Sequence, residues 1–99
     1  MYETMDELMA GVQRRLYRIR DLTDDMAGVR GRETARDGSI TVEVDGNGTL
    51  LDLQFSQAVS RMTPAEFEST LVATAAAAVR QAFERRSELV TAFNEEVAE

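Results

Sequence analysis

The sequence contains no histidine, cysteine, tryptophan or lysine, and a single proline. Without cysteine there are no disulfides and no thiolate ligands or nucleophiles. Without histidine and lysine, the usual groups that activate a hydroxyl are missing as well. Ser39, Ser56 and Ser60 stand beside turn residues with no base at a telling spacing, and they read as turn residues. The acidic pairs Asp24-Asp25 and Glu95-Glu96 are sequence neighbours on helices, where adjacent side chains point apart, so neither makes a catalytic dyad. No enzyme is expected, and no cofactor. Long apolar runs are absent too. The longest, around residues 71–79, is alanine-rich and less than half of a membrane span. Glu3, Asp6 and Glu7 occupy the place where a secretory leader carries positive charge. A cytoplasmic protein is expected.

What is present is arginine and acid. All eleven basic residues are arginine, against eighteen aspartates and glutamates, for a net charge of −7. Arginine without lysine, with many alanines and valines, has the look of a GC-rich, actinobacterial type of genome. A domain that holds nucleic acid by neutralising phosphates usually carries a basic excess. This chain repels phosphate on average, and only a local patch reverses that.

Ninety-nine residues make one domain, 1–99. Apolar residues at Met5, Leu8, Val12, Leu16, Ile19, Leu22, Met26 and Val29 recur in steps of three and four, which predicts a helix over 2–27 with a seam facing a partner. The methionines on it are expected in the core, or on an adaptable partner-binding surface if the arm's tip is open, and Gly28 is expected to stop it. Residues 30–36 allow a first strand before the Asp37-Gly38 turn. Ile40, Val42 and Val44 alternate with polar residues, predicting a half-buried strand over 39–45. Asp45-Gly46-Asn47-Gly48 has the composition of a hairpin turn, and Leu51, Leu53 and Phe55 predict a strand over 49–55. Residues 56–62 read as a loop. Thr63, Pro64 and Glu66 then supply an N-cap, an N1 proline and a capping-box glutamate. The helix they open is predicted to reach 97, with Leu89, Val90, Phe93 and Val97 continuing its apolar stripe.

Lengths suggest the architecture. A helix of that size runs about 50 Å, and a seven-residue strand about 23 Å. The last helix therefore covers a small antiparallel three-stranded sheet with its first half, where alanines 75–78 allow close approach. Its second half leaves the sheet and pairs with the first helix as a projecting arm. The expected fold is α+β, in the order α-β-β-β-α. Such a thin unit leaves a sheet edge, and one face, uncovered, so a homodimer is the expected completion.

Two clusters invite a chemical reading. Asp45, Asn47 and Thr49 have the alternating oxygens of a calcium loop, but Leu50 stands where the loop glycine belongs and no glutamate takes the twelfth position. No metal is expected. Arg14, Arg15, Arg18 and Arg20 crowd one part of the first helix, and Arg80, Arg85 and Arg86 the middle of the last. Either these pair with Asp21, Asp24, Asp25, Glu84 and Glu88 along the arm, or Arg14, Arg15, Arg18, Arg85 and Arg86 grip phosphates. Arg86 falls in the apolar stripe, where an unpaired charge would be costly.

The succession "VRGRETARDGSITVEVDGNGTLLDLQF", a polar loop, then "MTPAEFESTLVATAAAAVRQAF" resembles the YbaB/EbfC family of small bacterial nucleoid-associated proteins. The likeness lies in the order of these segments, with the first helix agreeing in character. The resemblance implies a homodimer with sheets at its centre and helical arms projecting as tweezers, DNA binding with little sequence preference, a nucleoid-associated location, and no catalysis. The acidic charge and the missing lysine depart from the family pattern. They leave a second role open, an acidic dimeric adaptor that binds a protein partner, as some actinobacterial relatives beside specialised secretion loci suggest.

Overall fold

The computed structural model describes residues 4–98. Tyr2, and the side chain of Val97, on which sequence expectations fell, lie outside the described residues. The elements follow the order α1 (Met5–Ala27), β1 (Arg30–Thr34), β2 (Ile40–Asp45), β3 (Leu50–Phe55), a 3₁₀ turn (Gln57–Arg61) and α2 (Pro64–Ala98). The expected α-β-β-β-α fold is present. The chain is elongated, 71 × 18 × 15 Å, with a radius of gyration of 20.4 Å, against about 13 Å for a compact domain of this length.

Local chemistry sets the element boundaries. The Thr4 hydroxyl accepts from the Glu7 backbone N–H at 3.1 Å and caps α1. At the other end, Gly28 closes the helix without entering the left-handed region (φ −88°), which differs from the stop expected. Its N–H reaches back to the Asp24 and Asp25 carbonyls. The Arg30 guanidinium covers the Ala27 and Val29 carbonyls at 3.2 and 2.8 Å. Thr63 caps α2 as expected, its hydroxyl accepting from Glu66 N–H. The segment 56–62, read as a loop, instead winds one 3₁₀ turn, because the Ser56 hydroxyl accepts from Ala58 N–H and caps it.

The strands form one antiparallel sheet in the order β1-β2-β3. Ile40, Val42 and Val44 of β2 are buried and meet Val29, Ala78 and Ala82. Close approach of α2 therefore runs through Ala78 and Ala82, with Gly31 beneath them, and only partly through the alanines 75–78. The neighbouring Thr74 is also buried, its hydroxyl returned to the Thr70 carbonyl at 2.7 Å. Gln81 of α2 accepts the Arg32 backbone N–H at 3.2 Å and so satisfies part of the β1 edge. Val44 pairs with Leu50 and Glu43 with Asp52, so Leu51 is an extra residue in the ladder, a bulge that the sequence alternation did not show.

The uncovered face of the sheet is polar. Arg32 bridges Glu43 at 3.1 Å and Asp52 at 3.9 Å, and the Thr34 and Thr41 hydroxyls lie 2.9 Å apart. That face is suited to water. On the sheet, an exposed apolar surface lies on β3, at Leu50, Leu51, Leu53 and Phe55; Val72 and Phe83 of α2 and the apolar stripe of α1 are exposed as well.

Past the sheet, α2 runs alongside α1. Gly46 lies between the Met26 carbonyl and the Arg86 side chain, so Met26 and Arg86 are level. Farther out, Leu22 of α1 shares a groove with Leu89 and Phe93 of α2. Phe93 is half-buried there. Its replacement by alanine should cost about 1–3 kcal/mol, somewhat less than for a fully buried phenylalanine. Urea unfolding followed by circular dichroism measures this, and a loss under about 0.5 kcal/mol would mean that the arm end is frayed in solution.

Candidate nucleic-acid interface

The five arginines singled out by charge fall in two places. Arg14, Arg15 and Arg18 stand on α1. Arg85 and Arg86 stand at the arm's root, level with Met26. At 1.5 Å per residue, Arg18 lies about 12 Å and Arg14 about 18 Å farther along the arm. They form two groups along one arm.

Arg86 is committed to the fold. Its guanidinium donates to the Gly46 carbonyl at 2.9 Å and is half-buried beside Met26, Phe83 and Val90. The charge that looked out of place in the apolar stripe holds the β2–β3 turn from 40 residues away. Arg85 is exposed and pairs with Glu88 on its own helix at 3.2 Å, a contact worth little in water. It is the one ion pair on the arm among the described residues; none there links α1 to α2.

Arg14, Arg15 and Arg18 are exposed and make no ion pair among the described residues. Arg18 lines the groove between the helices with Asp21, Asp25 and Glu96, so acids temper its field. Arg14 and Arg18 share a helix face, while Arg15 lies about 80° from their mean direction. Arg20 is equally exposed and makes no ion pair among the described residues. Its place in the run of arginines was the signal that could have put it in the set.

The acidic turns are occupied internally. The Asp45 carboxylate accepts the Asn47 and Thr49 backbone N–H groups, each at 2.9 Å, and Gly48 closes the turn at φ +82°. The oxygens that resembled a calcium loop are organising a hairpin. Those hydrogen bonds, Thr49 before Asn47, hold the Asp45 carboxyl below its ordinary value of 3.8. Asp37 is lowered as well by its hydrogen bonding to Ser39, whose backbone N–H donates to it at 2.9 Å. A carboxyl whose pKa is depressed by folding adds stability above its unfolded pKa and loses it as pH falls through the folded one. Asp45→Ala should therefore melt below wild type at pH 7, and the gap should close as pH drops below about 3.8. A thermal melt series from pH 7 to pH 2.5 checks this. A gap that is unchanged across that range would place the stabilisation elsewhere.

The chain thus joins two long helices to a small meander and carries four exposed arginines on the first helix that make no ion pair among the described residues. The sequence model of the YbaB/EbfC DNA-binding family matches residues 1–97. The chain belongs to the YbaB/EbfC DNA-binding family. Among solved structures it is similar to an uncharacterized protein, HP0035, from Helicobacter pylori. That likeness has a TM-score of 0.64 at 19% identity, over 95% of this chain and 98% of that one, and speaks for the fold alone. No curated protein matches the chain. Within a YbaB/EbfC frame the acidic balance means that DNA contact depends on where the charges stand. Among the described residues, no helix is long and apolar enough to cross a membrane.

Proposed function

We propose that the protein is a nucleoid-associated, non-enzymatic homodimer that grips DNA backbone phosphates with little sequence preference. The observation that carries this reading is that Arg14, Arg15, Arg18 and Arg20 stand exposed, without an ion pair among the described residues, on the projecting helix of a YbaB/EbfC family member. Arginine suits phosphate through its forked donors. Arg85 joins from the arm's root by leaving its weak surface pair, while Arg86 acts by holding the turn.

The dimer is supported by the apolar β3 edge. Leu50, Leu51, Leu53 and Phe55 belong to the edge strand β3, which pairs with β2 on one side only, and are 37–54% exposed, an arrangement that invites pairing with a second copy. Two chains joined at that edge put the sheets at the centre and send the arms outward.

Binding is weak in this reading. The dimer carries twice the −7 of one chain, so long-range attraction is small, and the dissociation constant should be roughly micromolar or higher at physiological salt. Three to five phosphate contacts per chain give a slope of log affinity against log salt of about −5 to −9 for the dimer. Fluorescence anisotropy with duplexes of unrelated sequence, titrated between about 50 and 200 mM salt, tests it. Absence of salt-dependent binding even near 50 mM would end the DNA reading and leave recognition of a protein partner in its place.

A further inference from the structure

We infer that the outer half of α1 is a self-association seam, by which the arm tip of one dimer lies antiparallel against the arm tip of another. The inference rests on the dimer reading above.

The seam is the apolar stripe that sequence periodicity marked as facing a partner. In the structure Met5, Leu8, Met9, Val12, Leu16 and Ile19 are 41–70% exposed. At 100° per residue these six lie within a sector of about 100°. The groove that α1 shares with α2 is lined from α1 by Arg18, Asp21, Leu22 and Asp25, whose mean direction is about 140° away from the stripe. So α2 packs on a different side of α1.

The stripe is complementary to itself. Two copies laid antiparallel with Val12 against Val12 place Met5 opposite Ile19 and Leu8 opposite Leu16. In such a pair the same flank of each helix faces its copy. Asp6 and Arg20 lie on one flank, about 40° apart around the helix. Each Asp6 then comes within a turn of the other copy's Arg20, while Gln13 meets Gln13. A two-fold axis produces all these matches without a second sequence. This match of opposite charges, at the register that also pairs the apolar residues, names a second copy as the occupant. Because α2 packs on the side of α1 that carries Arg18, Asp21, Leu22 and Asp25, neither copy of α2 enters the seam. Each dimer has two tips, so the contact links dimers into open chains. An interface of one short helix from each side is small, so growth appears at higher concentration than the dimer.

The test uses the full chain in sedimentation velocity from about 1 to 500 µM, together with single cysteines in this cysteine-free sequence. Wild type should be a dimer at the low end and gain mass with concentration. Leu16→Glu should remain a dimer throughout, with at least a tenfold shift in the onset of growth. Asp6→Arg and Arg20→Asp should each weaken growth, and the two together should restore it, a result that a mere folding defect does not give. Under oxidation Val12→Cys should cross-link into species larger than a dimer. Arg14→Cys, about 170° round the helix from the stripe, should not. A wild-type dimer that never grows would overturn the seam and leave the dimer standing, as would a Val12→Cys cross-link confined within one dimer. If Leu16→Glu yields monomers, the stripe is part of the dimer contact and the inference falls. A monomer at every concentration would remove the dimer reading and the seam together.

Discussion

Gly31→Ala is expected to break the packing of α2 on the sheet. A Cβ at this position would lie 1.9 Å from the Ala78 carbonyl oxygen, 2.9 Å from its carbon and 3.0 Å from the Ala82 nitrogen. All three are backbone atoms of a helix, so no side chain can swing away and α2 must move as a body. Movement separates Ala78 and Ala82 from Ile40, Val42 and Val44, which together with Val29 are the buried apolar core among the described residues. Overpacking a core usually costs 1–3 kcal/mol, and backbone against backbone belongs at the top of that range, so the loss should be about 3 kcal/mol or more. Against a typical total of 5–15 kcal/mol, in a chain with so small a core, that is enough to leave much of the population unfolded near 37 °C. Gly38→Ala is the informative comparison. Gly38 sits at φ +73° with open space around its Cα, and alanine there meets only the left-handed penalty of about 1–2 kcal/mol. Urea titration of both variants should rank Gly31→Ala as clearly worse, although its backbone angle is the ordinary one. Near-wild-type stability for Gly31→Ala would mean that α2 sits farther from β1 than the structure has it.

The role of Gly31 was hidden in the sequence for a reason that recurs elsewhere in this chain. Period and turn chemistry are local signals, and they located β2, β3, the Asp45–Gly48 turn and the Thr63 cap because those elements are decided by neighbours in sequence. β1 reads as "RGRET", with one buried residue that has no side chain, so no alternation betrays it. Arg86 is the same case at long range. Its position in the apolar stripe marked it as anomalous, but its partner is the carbonyl of Gly46. The stripe on α1 shows a third limit. Periodicity reported correctly that one face is apolar, yet it could not say whether α2 covers that face. The helix is rotated, so Leu22 and Met26 reach the arm's interior while Met5 and Met9, expected in the core, remain in solvent. For the candidate interface, residue type made the arginines legible. Their engagement was not, because it depends on which carbonyl or carboxylate the fold brings within reach.

Engagement is what makes the charge-reversal experiment decisive. Arg14→Glu with Arg18→Glu removes two exposed cations per chain that make no ion pair among the described residues, and takes the chain from −7 to about −11. If each had neutralised one phosphate, the dimer loses four contacts, and the salt slope should flatten by about 3 to 4. The new glutamates face the same phosphates and add repulsion, so affinity at about 50 mM salt should fall by a hundredfold or more. Folding should survive, since neither side chain belongs to the buried core and glutamate is a good helix former. Arg18 stands near Asp21, Asp25 and Glu96, so Arg18→Glu adds a like charge to an acidic groove, and a modest drop in melting temperature is expected from that alone. Arg86→Gln separates the two effects. It should lower stability by loosening the turn at Gly46 while leaving the salt slope nearly unchanged, because Arg86 spends its donor inside the fold. Lost DNA binding in the α1 variant with an intact dimer, beside retained binding in a less stable Arg86→Gln, would locate the phosphate grip on the arm. Equal DNA affinity for wild type and the α1 variant would remove these arginines from the interface, however many of them the helix carries.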